Sequence, residues 1–201
     1  KGFDANEFAK KAHALSVAHG FYDTEEDNRL ETKLALIHCE LSEALDQYAR
    51  GMPDVYCQDK RCERFQSDGC NGCAYACGFL GGSAKPEGVM IELADACIRI
   101  MDMMAWQNMQ IRDIALGMVD VAAAPIQRLV LTIHQRLSEV FFTISPVPGD
   151  WIDKERAQRM LNWCLRAMFY WAAAHGQDMG RLIQLKHRDN QGRSYKHGKK
   201  I

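Results

Sequence analysis

The chain has 201 residues, 47% of them apolar, and a formal net charge of −1. This is a globular composition, not a disordered one, and it is long enough for one or two small domains with a real core. The near-zero charge gives no electrostatic reason for a nucleic-acid or anionic-membrane partner, and no run of about 20 apolar residues offers a membrane span.

Residues 4–19 open on Asp4, a helix-capping residue type, and carry Phe8, Ala12, Leu15 and Ala18 at helical spacing, with Gly20 as the stop. Charges are scattered through this N-terminal stretch and no apolar signal-peptide core interrupts them, so a cytoplasmic, reducing location is expected. Residues 29–50 place Leu34, Ile37, Leu41, Ala44, Leu45 and Tyr48 on one helix face, ended by Gly51. Residues 86–107 begin at Pro86 and run through Val89, Leu93, Ala96, Ile100 and Met104. The helical period returns over 126–143 and 153–175, and 178–190 is a shorter helix leading into a polar tail. No period-2 strand stands out. The expected fold is all-α.

Internal similarity organises these helices. Residues 37–43 (IHCELSE) match 133–139 (IHQRLSE) at an offset of 96 residues, and 97–101 (CIRIM) match 164–168 (CLRAM) at an offset of 67. The offsets differ by 29, the length of the stretch Tyr56–Ala84, so one insertion accounts for both. The expected architecture is a single domain over 1–201 with a four-helix-bundle-type core of two tandem helix pairs. The first pair lies in 1–118, with an insertion at 56–84, and a degenerate second pair and a basic tail lie in 119–201.

That insertion is Cys-rich. Of eight cysteines, five fall within it: Cys57, Cys62, Cys70, Cys73 and Cys77. Cys70-x2-Cys73 is a chelating spacing for tetrahedral zinc, and four of the five thiolates would close a structural Zn²⁺ site. An iron–sulfur cluster, disulfides or free thiols are the other readings. Cys39, Cys97 and Cys164 sit singly in apolar helical patterns and read as small core residues.

The sharpest chemical signal is acidic. Glu40 and Glu43 share one helix face, as do Glu92 and Asp95 on the next helix, with Arg99 and Asp102 further along that stripe. Packing of the two helices brings four carboxylates together, and a cation is then needed to offset their repulsion. Hard divalent ions take oxygen ligands, so the pattern points to Mg²⁺ or Mn²⁺ and to phosphate chemistry. Acids of this spacing are more often a solvated face. The small apolar neighbours Leu41, Ala44, Leu93 and Ala96 argue here for a half-buried groove. In the second pair Glu40 is replaced by Arg136, Glu92 by Arg159 and Asp95 by Asn162, and only Glu139 keeps its acid, so one metal site per chain is expected.

LALIHCELSEALDQYARG, KPEGVMIELADACIRIMD and the tail KHRDNQGRSYKHGKKI together resemble the MazG-like nucleoside triphosphate pyrophosphohydrolases of the all-α NTP pyrophosphatase superfamily. The match covers a little over half the chain. The resemblance implies hydrolysis of a (deoxy)nucleoside triphosphate to the monophosphate and pyrophosphate. It implies that Glu40, Glu43, Glu92 and Asp95 are the catalytic, Mg²⁺-holding acids. It also implies that Lys186, Asn190, Arg193, His197 and, less directly, Lys199 meet the phosphates, and that the chain can form homodimers or higher homo-oligomers. Ser194 stands where such tails commonly carry Pro, and the Cys-rich insertion is not a usual feature of these enzymes. Phe21, Tyr22, Trp106, Trp163, Phe169, Tyr170 and Trp171 are the aromatics available to stack a base, although such a stripe is more often core. A dUTPase or dCTP pyrophosphatase, a nucleotide-sensing module without turnover, and a Cys segment that docks a partner are the competing readings.

Overall fold

The computed structural model describes residues 2–57, 85–112, 121, 123–145, 147 and 150–198, of which Cys57, His197 and Gly198 are described by their backbone. The fold is all-α. Six helices are described: α1 (Ala5–Ala18), α2 (Leu30–Ala49), α3 (Val89–Trp106), α4 (Ile126–Phe141), α5 (Lys154–Ala174) and α6 (Met179–Gln191), with a terminal 3₁₀ turn at Tyr195–Gly198. Local chemistry starts three of them. Asp4 accepts from the Glu7 backbone N–H at 3.0 Å, Asp153 from Arg156 at 2.9 Å and Asp178 from Arg181 at 3.1 Å, each satisfying an amide that the helix leaves unpaired.

The central element is α3. It is apolar nearly all round, and 15 of its 18 residues are buried, as expected of a helix enclosed by others. It packs against α1, α2, α5 and α6, while α4 packs on α5 and also meets α2. The core is thus the four helices α2, α3, α4 and α5, with α1 and α6 laid against α3. Each fully buried Leu, Ile or Met contributes about 1.5–3 kcal/mol relative to exposure. Leu93, Ile100, Met101 and Met104, all at 0% exposure, thereby help offset the cost of placing Glu92, Asp95 and Asp102 on the same helix.

Two details depart from the sequence reading. Pro86 is not in a helix: Tyr56–Cys57 and Pro86–Glu87 form a two-residue antiparallel ladder, and α3 starts three residues later. Gly88 makes that turn possible. Its φ is +116°, and a Cβ there would come within 2.6 Å of the Pro53 and Asp54 carbonyl oxygens. Cys39 is exposed, unlike the buried thiols Cys97 and Cys164.

Candidate metal and phosphate site

Glu40 and Glu43 project from α2 and Glu92 from the first turn of α3. Each can offer a carboxylate oxygen within 4.8 Å of the others, and among the described residues this is the one group of three metal-ligating side chains so placed. Glu40 and Glu92 are buried and Glu43 is exposed, so the cluster opens to solvent on the Glu43 side. Burial, with Asp95 and Glu43 nearby, pushes the Glu40 carboxyl up despite Arg99. Burial pushes Glu92 up to about 8, with Lys186 only partly opposing. Acids in that condition are under-compensated, and a cation would relieve them.

Asp95 is not part of the trio. It faces the C-terminal helix: the Lys186 ammonium lies 3.4 Å away and the Asn190 amide donates to it at 3.2 Å. Burial alone would raise its pKa. Lys186, Arg99 and Arg193, together with the Asn190 hydrogen bond, outweigh that and hold it below the usual range. Lys186, 2% exposed, also lies 3.9 Å from Glu92, and Asp95 and Glu92 keep it charged against burial. Glu40 in turn accepts from Arg99 Nε at 2.6 Å. The structure therefore brings Glu40, Glu43, Glu92, Asp95, Lys186 and Asn190 to one place. Arg193 lies close enough for its charge to act on Asp95 and Lys186, while its own ion pair is with Asp189 at 3.0 Å.

Beside the acids is a cavity of about 40 Å³ walled by Ala12, Leu15, Leu36, Ile98 and Phe21, with Asp95, Arg99, Asp102, Lys33, His187 and Asn190 as polar lining. Its size admits a few waters. Two buried polar atoms of its lining, Asn190 Oδ1 and His187 Nδ1, have no hydrogen-bond partner. At its far end Asp102 accepts from Tyr22 Oη and bonds His13 Nδ1, both at 2.8 Å. Burial pulls Lys33 down to about 8; its ammonium donates to the Phe21 carbonyl at 2.5 Å and sits 3.5 Å from the Tyr22 ring centroid. Sequence reasoning missed His13, Lys33 and His187, which carry no periodic signal, and Glu87, a buried acid ahead of α3 whose charge acts on both Glu92 and Lys186.

Of the aromatics, Phe21 lines the cavity, and Tyr22 packs edge-on against Trp106 at 5.3 Å. The second-half aromatics lie elsewhere. Trp171 is buried and donates to the Ala124 carbonyl, Trp163 lies under Arg136, and Phe169 and Tyr170 line an open cleft with Phe3. The tail is anchored, not frayed: Lys196 pairs with Asp27 at 2.6 Å, and Tyr195 Oη donates to Asp23 at 2.7 Å. The backbone of His197 belongs to the 3₁₀ turn; its side chain and the whole of Lys199 lie outside the described residues. So do Cys62, Cys70, Cys73, Cys77 and the Cys57 side chain, the zinc candidates.

At the matching positions of the second helix pair, Arg136 pairs with Glu139 at 3.1 Å. Asn162 bonds the Gln110 carbonyl at 3.0 Å and the Arg112 N–H at 2.8 Å, so backbone fills the place that α6 fills around Asp95. No helix among the described residues is long and apolar enough to cross a membrane. Comparison with protein-family models, with curated proteins and with solved structures finds no match for this chain.

Proposed function

We propose that this chain is a metal-dependent nucleoside triphosphate pyrophosphohydrolase of the MazG-like kind, releasing a (deoxy)nucleoside monophosphate and pyrophosphate. The observation that carries the reading is the junction of an all-oxygen glutamate trio on α2 and α3 with the cationic and amide side chains of α6. The donor set suits Mg²⁺ or Mn²⁺ and not a thiophilic metal. Oxygens around such an ion at about 2.1 Å stand about 3–4 Å apart, close to the spacing of the trio's oxygens, which lie within 4.8 Å of one another. The unpartnered Asn190 Oδ1, buried at the same place, supports a ligand there.

Glu40, Glu43 and Glu92 would hold the ion, with Asp95 held nearby by Lys186. When bound, such an ion neutralises phosphate charge and acidifies water. The chain's own side chains account for the rest. Arg193 offsets the charge that develops on the departing pyrophosphate, Asn190 orients a phosphate oxygen or a ribose hydroxyl, and Lys186, enclosed against Asp95 and Glu92, holds those acids instead of meeting the phosphates. A water attacks the α-phosphorus, the bond to the bridging oxygen breaks, and a carboxylate of the cluster takes the water's proton. The role would be to control or clean a nucleotide pool.

Product analysis tests this directly. The protein is incubated with each common NTP and dNTP, with and without Mg²⁺ or Mn²⁺, and products are resolved by chromatography. Monophosphate and pyrophosphate appearing only with metal is the expected result. Folded protein that turns over no nucleotide would overturn it.

A further inference from the structure

The charges around the trio do not balance by metal alone. Arg99 lies one turn beyond Asp95 on α3. Its Nε donates to Glu40 at 2.6 Å, its side chain is 19% exposed, and the carboxylates of Asp95 and Asp102 reinforce its charge. A guanidinium does not lose its proton in a protein, so this charge is permanent. Lys186, fully enclosed, lies against Asp95 and Glu92. Glu40, Asp95 and Asp102 thus share one resident cation, Arg99, and Glu92 and Asp95 share another, Lys186.

Sites that use two divalent ions hold them about 3.5–4 Å apart, usually bridged by a carboxylate with both oxygens available. Glu40 belongs to the trio and also feels the charge of Asp95, so it would be the natural bridge, but its Oε1 is already engaged by Arg99. Arg99 also lines the small cavity alongside Asp95, Asp102 and Asn190.

We propose that Arg99 is a built-in second cation: it takes the place of a second divalent ion, fixes Glu40, and leaves a site that holds one resident divalent ion per chain. The inference rests on the metal-site reading above and adds to it the number of ions and a positioning residue.

Manganese counting separates the two. Mn²⁺ is titrated into the nucleotide-free protein, and the free ion is followed by its electron paramagnetic resonance signal. One tight Mn²⁺ per chain is expected for the parent and for Arg99→Lys, which keeps the charge. Two are expected for Arg99→Met, checked as folded by circular dichroism. Where Arg99→Met does not fold, Arg99→Gln, which keeps a donor for Glu40 and removes the charge, takes its place. Two Mn²⁺ on the parent, or one on the folded charge-removing variant, would overturn the role of Arg99 and leave the pyrophosphohydrolase reading standing. No Mn²⁺ on the parent would overturn the metal site itself, and the inference with it.

Discussion

The two residues that best separate function from stability are Glu43 and Lys186. Glu43 is exposed and no described partner depends on its charge for packing. Glu43→Gln is therefore expected to change unfolding free energy by no more than about 0.5 kcal/mol. On the proposed function it should lower pyrophosphate release by at least about 100-fold, because one of the three carboxylates proposed to hold the metal is lost. A fully active Glu43→Gln would sink the site. Lys186 behaves in the opposite way. At 2% exposure it lies against Asp95 and Glu92, so Lys186→Met strands the buried Asp95 carboxylate and should cost about 3–5 kcal/mol in urea unfolding. Asn190→Ala falls between them. It removes the donor to Asp95 and the unpartnered Oδ1, and is expected to reduce turnover with the helical circular dichroism spectrum retained. Normal hydrolysis by both Asn190→Ala and Arg193→Ala would dismiss the tail from the site.

At the scale of elements, the helices were legible because apolar residues recur at helical spacing, and α1, α2, α5 and α6 also have a capping Asp or a following glycine. Glu40, Glu43 and Glu92 could be placed together for the same reason: i, i+3 spacing fixes a common face once two helices are known to pack. The spacing could not reveal that Asp95 turns to α6, because α6 arrives some ninety residues later and spacing within α3 says nothing about it. The beginning of α3 was misread at Pro86. Proline at a helix start is a common pattern, but here Gly88 at positive φ sets the turn and Pro86 pairs in the short ladder. That glycine supports the site from outside it. Gly88→Ala would combine a strained φ with a Cβ 2.6 Å from two carbonyl oxygens, and is expected to cost about 2–3 kcal/mol. It should also weaken Mn²⁺ binding, since it displaces the helix turn that bears Glu92. Unchanged melting temperature and Mn²⁺ affinity in the Gly88→Ala variant would show that the turn is not needed to hold Glu92 in place.

The whole molecule is joined along α2–α4 and α3–α5, and one contact of that joint pairs equal positions of the internal repeat. Cys97 Sγ meets Met168 Sδ at 3.7 Å, and His38 meets His134, 96 positions later, with Nδ1 atoms 2.6 Å apart. The rings are parallel within 3° with centroids 4.8 Å apart. Nitrogens this close lie well inside the thickness of an aromatic stack, so the rings meet edge to edge and share one proton, one donating and the other accepting. Sequence showed the repeat; it could not show that equal positions would touch. Burial holds both histidines below the ordinary value of 6.5, and for His134 the facing His38 adds to this. The native state therefore binds fewer protons than the unfolded chain once the pH falls below about 6.5. The contribution of the pair is fully present above that pH and is lost as pH falls through it toward the depressed native values. Glu92 works with the opposite sign. Raised to about 8, it holds its proton in the native state, so its contribution fades as pH rises from about 4.5 toward 8. A plain melting curve against pH would mix the two. The comparison that isolates the histidines uses His38→Asn with His134→Asn, which keeps a donor and an acceptor at the Nδ1 positions and removes the titration. The fall in Tm between pH 7.5 and pH 5.5 should be smaller in this double variant than in the parent, both measured without metal. An equal fall in both would mean that the acid sensitivity lies elsewhere and that the histidine pair joins the helix pairs without responding to pH.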